Sequence, residues 1–178
     1  MVRLVGVVGS RSLPASFAPL VSSLVSFLLD QGFGVASGGA LGADSFALSA
    51  LLGQGASSCG VLFSAWPSVS GFPVLVRPQV SRFLASGGRV VWGSVSSGSS
   101  RQAVCSALFA RSRALVSSSC LLVAFLHGPS RGTLFTLRQA VRRGVPVVVF
   151  LCGGGASLPP DLASHCHIFK PEGVIQSW

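Results

Sequence analysis

The sequence predicts an α/β fold, with one doubly wound, mainly parallel sheet and helices on both of its faces. Short apolar segments of strand length alternate with longer segments whose apolar residues recur at helical spacing. Glycine-containing turns directly follow three of the apolar segments, as they do where a strand of a parallel sheet leads into a helix. Together these observations indicate a single Rossmann-like sheet with right-handed connections.

The first half of the chain predicts three strands and the helices between them. The strands are expected at the short apolar runs 4–8, 33–36 and 59–63. A first helix is predicted over 15–31, and Gly32 ends it. A second helix begins near Asp44, and Gly53 and Gly55 end it.

The second half begins with a segment, 64–78, whose prolines, Gly71 and Trp66 predict a loop that faces solvent or ligand. A low-complexity Gly/Ser segment covers 93–100. The other predicted elements are a short helix near 79–85, a strand at 89–92, a helix over 101–117, a strand at 121–126, a helix from Gly132, a strand at 145–151, and a short strand with a tail through Pro171 to Trp178.

No internal repeat and no linker interrupts this pattern, so a single domain is predicted for residues 1–178. Its core is expected over about 2–151, with a short C-terminal extension at 152–178. Hydrophobic residues make up 49% of the chain and charged residues 10%, which excludes an intrinsically disordered protein. The longest apolar runs are far shorter than the roughly 20 residues of a membrane-spanning helix. We therefore expect a cytoplasmic protein without membrane association.

The formal net charge is +9, and Lys170 is the single lysine among 13 basic residues. Guanidinium groups bind phosphate in a forked geometry, so the charge favours an anionic partner, nucleic acid included. A coding bias towards arginine explains the excess equally well, and both explanations stay open. Five cysteines without a close pair predict reduced, buried thiols. The spacing of His165, Cys166 and His167 fits no zinc pattern, so no metal site is predicted.

The three glycine-containing turns are the candidate ligand-binding segments. Backbone N–H groups at the start of a helix bind anions, and the carboxyl ends of parallel strands meet at one edge of the sheet. Asp44 is expected either to contact a ribose or base, or to cap its helix. Arg111 and Arg113 are expected to end a helix beside the third turn. The candidate binding residues are Gly9, Ser10, Arg11, Ser37, Gly38, Gly39, Gly42, Asp44, Arg111, Ser130, Arg131, Gly132 and Thr133.

Two aromatic residues near these turns have alternative roles. Trp66 is a candidate for stacking on a base or for closing the pocket. His127 precedes the third turn, where it could transfer a proton, but packing at the strand end is the commoner outcome. No catalytic residue is predicted.

The motifs, taken in order, resemble the SLOG superfamily of Rossmann-like domains. The branch in question is the YspA-like one, related to the DNA-processing protein A core and to Lonely-Guy-type phosphoribohydrolases. The resemblance covers about residues 4–151. The segments that carry it are 8–13, 38–44, 65–66, 111–115, 124–133 and 144–146.

Two departures limit what this resemblance implies. Ser112 stands where the branch usually has asparagine. Phe135 and Thr136 stand where Lonely-Guy-type enzymes carry their catalytic glutamate, so the resemblance does not extend to N-glycosidic hydrolysis. The four acidic residues of the chain are too few and too scattered for paired-carboxylate chemistry.

Three functions are therefore weighed. The first is non-catalytic binding of a nucleotide or nucleotide-derived ligand, with no other cofactor expected. The second is binding of single-stranded DNA, as the relation to DNA-processing protein A implies. The third, a nucleoside monophosphate phosphoribohydrolase, would have to recruit an acid from elsewhere. A homodimer is a further expectation, since helix faces of such domains often pair.

Overall fold

A computed structural model describes residues 2–96 and 98–171 of the chain. The described residues contain one sheet of seven parallel strands in the order β4-β3-β2-β1-β5-β6-β7. The strands are β1 Leu4–Gly9, β2 Gly34–Ser37, β3 Gly60–Phe63, β4 Arg89–Val91, β5 Ser119–Leu126, β6 Val147–Leu151 and β7 His167–Phe169.

Helices connect consecutive strands and cover both faces of the sheet. Those on one face, α1 to α3, pack on a cluster of buried residues that includes Val5, Val7 and Phe125. Those on the other face, α4 to α6, pack on a second cluster that includes Leu122 and Val149. The helices are α1 Ala18–Asp30, α2 Ala43–Gly53, α3 Arg77–Ala85, α4 Arg101–Ser118, α5 Arg131–Arg142 and α6 Pro160–Ala163.

The order of the strands creates a crevice beside β1. The chain adds β2, β3 and β4 outward on one side of β1, and α4 then returns it to the other side, where β5 pairs with β1. The turns after β1 and β5 therefore lead to helices on opposite faces of the sheet. In doubly wound sheets, ligands bind in the crevice that this divergence opens at the carboxyl ends of the strands.

The predicted fold class is confirmed, and the sheet is parallel throughout the described residues. Element bounds differ by a few residues: Ala15–Phe17 forms a 3₁₀ turn ahead of α1, because Pro19 occupies the first turn of that helix. Cys59 likewise belongs to a 3₁₀ turn before β3.

One positional prediction was wrong. The predicted helix over 101–117 is confirmed as α4, but Arg111 and Arg113, which were expected at its end, lie in its interior because α4 continues to Ser118. No glycine or proline interrupts this helix, so nothing in the backbone ends it earlier.

The segment predicted as a C-terminal extension contributes to the sheet. It contains α6 and the strand β7, and Val149 of β6 pairs with Ile168 of β7. Glu172 and Trp178 lie outside the described residues. The single-domain organisation stays a prediction. Within residues 2–96 and 98–171, no helix is both long and apolar enough to span a membrane.

Candidate functional site

The turn after β1 packs tightly against β5 and the start of α2. A methyl group at Gly9 would clash with the Phe125 carbonyl oxygen and lie 2.7 Å from the Cβ of Ala43. The Ser10 N–H donates to the Phe125 carbonyl at 2.9 Å, and the Ser10 Oγ accepts the His127 N–H at 2.9 Å. The Ser10 amide is therefore already bonded within the protein, contrary to the expectation that the backbone N–H groups of this turn bind an anion.

The turn after β2 contacts the first turn directly. Gly42 has φ of +72°, a conformation that favours glycine, and a methyl group there would clash with the Ser10 carbonyl oxygen. Gly42 thus lets the two turns meet at the N-terminus of α2.

Asp44 lies in the first turn of α2 with only 4% of its surface exposed. Its Oδ2 accepts the N–H of Ala40 at 3.1 Å, so the carboxylate holds the second turn in place. Burial raises the pKa of the Asp44 carboxyl above its ordinary value, while the charges of Arg111 and Arg11 and the Ala40 hydrogen bond oppose that rise. The carboxylate also lines the cavity described below, so it combines a structural contact with access to a ligand.

Arg111 reaches the second turn from the interior of α4. Its Nη1 donates to the Gly38 carbonyl oxygen at 3.0 Å. Its Nε is buried and has no hydrogen-bond partner among the described residues. Burial lowers the pKa of the Arg111 guanidinium, Asp44 raises it, and the positive charge of Arg11 lowers it further. Arg111 therefore has unused hydrogen-bonding capacity at a position of positive potential.

The third turn supplies hydroxyl groups at the N-terminus of α5. The Ser130 Oγ and the Thr133 Oγ1 are 2.8 Å apart. Thr136, one turn further, donates from its Oγ1 to the Gly132 carbonyl at 3.0 Å. Ser130 precedes α5, but within the described chain its side chain accepts no hydrogen bond from the first N–H groups of that helix.

These three turns and α4 enclose a cavity of about 450 Å³ at the carboxyl ends of β1, β2 and β5. We call it the polar cavity, because six hydroxyl-bearing residues line it together with two arginines and Asp44. Its hydroxyl-bearing residues are Ser10, Ser12, Ser112, Ser130, Thr133 and Thr136.

A second cavity, of about 310 Å³, adjoins the first. We call it the apolar cavity after four of its own residues, Leu41, Trp66, Phe72 and Val74, which line it together with Ser64 and Arg77. Trp66 therefore lines the neighbouring cavity rather than the polar one.

Ten of the thirteen candidate residues line one of the two cavities. Gly39 lines the apolar cavity, where the Phe72 ring lies directly against it. Among the residues described, Ser37, Gly42 and Arg131 line neither cavity: Ser37 is buried in β2, Gly42 joins two turns, and the Arg131 side chain is exposed. The predicted residues that line the polar cavity are Gly9, Ser10, Arg11, Gly38, Asp44, Arg111, Ser130, Gly132 and Thr133.

Several residues of this site were not predicted. Thr136 follows Thr133 by one helical turn, and that spacing alone could have revealed it. Cys105, Leu108 and Phe109 come from α4, whose alanines and serines mark no clear face of the helix. The Phe109 ring is held by Phe135 at a centroid distance of 4.1 Å.

His127 packs at the end of β5 instead of facing either cavity. Its ring lies against Gly154, and its Nδ1 is 3.5 Å from the Ser12 Oγ. The cysteine prediction was wrong for Cys105, which is exposed, and of the five cysteines Cys152 alone is buried. Within the described segments, no three His, Cys, Asp or Glu side chains group closely enough to hold a metal.

The sequence profile of the DNA recombination-mediator protein A family matches residues 1–165. The chain belongs to this family. The resemblance to the SLOG superfamily is thereby confirmed. The matching family is that of DNA-processing protein A, which was given above as a relative. No curated protein sequence matches the chain significantly.

Solved structures of family members share the fold. DNA processing protein A from Helicobacter pylori, described by its single-stranded DNA binding mode, aligns with a TM-score of 0.74 and 17% identity over 98% of this chain and 79% of its own. The Streptococcus pneumoniae protein aligns with a TM-score of 0.68 and 17% identity over 100% of this chain but 62% of its own. The chain thus spans less than two thirds of the pneumococcal protein.

A molybdenum cofactor binding protein from Rippkaea orientalis also shares the fold. It aligns with a TM-score of 0.64 and 17% identity over 99% of this chain and 94% of its own. At such identities these comparisons show a common fold alone.

Proposed function

We propose that this chain binds a nucleotide or a nucleotide-derived anion in the polar cavity and does not convert it chemically. The observation that carries the proposal is Arg111, a half-buried side chain that lines the cavity and whose buried Nε has no hydrogen-bond partner among the described atoms. A buried polar group without a partner is costly, and a ligand that supplies hydrogen-bond acceptors beside it relieves that cost.

The charges around the cavity favour a negatively charged ligand. Arg11 and Arg111 both line it, and their mutual repulsion contributes to the lowered pKa of Arg111. Asp44 supplies one opposing charge, which leaves the lining with a net positive charge. A phosphate between the two arginines reduces their repulsion and forms charge-assisted hydrogen bonds.

The hydroxyl groups of the third turn provide a second set of donors for the same anion. Ser130 and Thr133 line the cavity next to the first amides of α5. Helix N-termini and neighbouring hydroxyls form a common phosphate site in nucleotide-binding folds. The cavity volume of about 450 Å³ lies in the range typical of small-ligand sites.

The placement of the acids argues against glycosidic hydrolysis by a pair of carboxylates. Of the acids within the described segments, Asp44 lines the cavity, Asp161 pairs with Arg138 at 2.8 Å and Asp30 ends α1. Glycosidic hydrolysis needs an acid placed at the scissile bond, usually one of a pair. Phe135 packs on Phe109 where the phosphoribohydrolases carry their glutamate.

Calorimetric titration tests this proposal with the 5′-monophosphates of the four common nucleosides and with the unphosphorylated nucleosides. We expect at least one monophosphate to bind, and its nucleoside to bind at least tenfold more weakly. Equal affinity for the two, or binding of neither, overturns the proposal. Chromatography of the same mixtures after incubation should show no released base; released base would show an enzyme.

Single-stranded DNA is a second candidate, and two observations favour it. The matching family is named for a role in DNA recombination. The similar structure from H. pylori is that of a protein that binds single-stranded DNA. The net charge of +9 suits a polyanion.

Salt dependence separates the two candidates. A strand that contacts several phosphates should lose affinity steeply with salt, because each contact releases counterions. A single nucleotide should show a shallow slope. A slope for a 20-nucleotide strand no steeper than that for a mononucleotide would exclude strand binding.

A further inference from the structure

We infer that the apolar cavity is a second subsite and that the ligand consists of two phosphodiester-linked nucleotide units. This inference rests on the proposed function and specifies its ligand. One unit occupies the polar cavity, the linking phosphate lies between Arg11 and Arg111, and the base of the second unit occupies the apolar cavity.

The two cavities lie next to each other. Arg11, Gly38, Ala40, Leu108 and Arg111 line both of them, so they form the boundary that the two cavities share. A ligand that occupies both cavities therefore contacts these shared residues.

The boundary carries the charge that a linking phosphate needs. Arg11 and Arg111 are the charged side chains at it, and both are positive. Asp44 lines the polar cavity but not the apolar one, so the negative charge lies on one side of this boundary.

The walls of the apolar cavity suit a planar base. Trp66 is partly exposed and Val74 is 69% exposed, so apolar surface is available at the mouth of the cavity. The Phe72 ring forms an inner wall with 4% of its surface exposed. Stacking on such rings accepts any base, because every base has an aromatic face.

The apolar cavity is also preorganised. The backbone around Trp66 is fixed by hydrogen bonds from Gly93 N–H to the Trp66 carbonyl and from Val95 N–H to the Ala65 carbonyl, each at 3.1 Å. The Nε of Arg77 donates to the Phe72 carbonyl at 2.8 Å and holds the other side of the loop. A preformed wall reduces the ordering cost of binding.

The test uses the full chain and oligodeoxynucleotides of mixed sequence, one to six nucleotides long, each with a 5′-phosphate. We expect the dinucleotide to bind at least tenfold more tightly than the mononucleotides. Longer strands should add less than twofold per nucleotide. The tenfold gain of the dinucleotide is the typical contribution of one base stacked on an aromatic side chain.

The variant Trp66→Ala should reduce the ratio of dinucleotide to mononucleotide affinity by about tenfold, since it removes the stacking surface. Trp66→Phe retains an aromatic face and should keep most of the ratio. Phe27→Ala removes an aromatic ring that is 59% exposed on α1 and should leave the ratio unchanged. Circular dichroism checks that each variant is folded, and the length series on the unchanged protein does not depend on any variant.

The possible failures are distinguishable. Equal affinity for mononucleotide and dinucleotide overturns the second subsite and leaves the proposed function intact. A steady gain per nucleotide beyond two also overturns the two-unit ligand, in favour of strand binding. Binding of none of these ligands overturns the proposed function itself.

Discussion

The Nη1 of Arg111 and the Oδ2 of Asp44 approach Gly38 so closely that a methyl group there would lie 2.8 Å from each. Opposite charges from two helices, α2 and α4, are thereby placed at one backbone position of the second turn. Among the described residues, the direct ion pair is Arg138 with Asp161, so Arg111 and Asp44 interact without direct contact. This arrangement leaves both groups able to interact with a ligand.

Substitution of Gly38 by alanine should displace both charged groups. We expect Gly38→Ala to lower the free energy of unfolding by about 1–3 kcal/mol, as overpacking typically does, and to weaken anion binding. Urea unfolding measures the first effect. Gly53→Ala in α2, where an added Cβ meets no atom within 4 Å, is the control and should increase stability by about 0.5–1 kcal/mol. A Gly38→Ala protein as stable as the unchanged chain would contradict the packing.

Replacement of Arg111 tests the anion site. Arg111→Met should weaken binding of a nucleoside monophosphate about 10- to 100-fold, the usual contribution of a hydrogen bond to a charged group. Arg111→Lys keeps the charge but loses the forked geometry and should be intermediate. Arg143→Met removes an exposed positive charge at the end of α5 and controls for net charge. Equal losses in the Arg111 and Arg143 variants would indicate a general charge effect.

Asp44 should make stability and binding depend on pH. Burial raises its pKa in the folded protein, so the native state binds this proton more tightly than the unfolded state does. The contribution of Asp44 to the free energy of unfolding therefore falls as pH rises from the ordinary pKa of aspartate through the raised one. Asp44→Asn keeps an acceptor for the Ala40 N–H and removes this dependence.

Urea unfolding of Asp44→Asn and the unchanged chain at pH 4, 5.5 and 7 measures the effect. The variant should gain stability relative to the unchanged chain as pH rises. An opposite trend would mean that Arg111 and Arg11 stabilise the ionised carboxylate more than burial destabilises it. Monophosphate binding should also lose part of its pH dependence in the variant, since the amide that replaces the Asp44 carboxyl does not titrate.

Cys105 offers a chemical probe of the polar cavity. It is exposed and lines that cavity, whereas Cys59 and Cys120 line a separate cavity near the amino ends of the strands. A bound monophosphate should slow alkylation of Cys105 at least threefold and leave the other two rates unchanged. Mass spectrometry after timed iodoacetamide treatment measures all three in one sample. Equal protection of all three thiols would indicate general stabilisation instead of occupancy.

The amino-acid sequence was sufficient for the fold and for the three turns, because these depend on local signals. Apolar runs of strand length and helical periodicity specify the alternating elements, and the glycines at 9, 38 and 42 mark the turns. Parallel strands then bring their carboxyl ends to one edge whatever the side chains are. Most candidate residues therefore line one cavity.

The tertiary structure alone decided which side chains face that cavity. Arg131 and Arg111 look alike in the sequence, yet Arg131 is exposed and Arg111 is held against Gly38 from the interior of α4. The face that α4 presents depends on how it crosses β1 and packs on α5, and these are contacts between residues far apart in the chain. Local spacing carries no information on such contacts, so the contribution of α4 to the site emerged only from the packed structure.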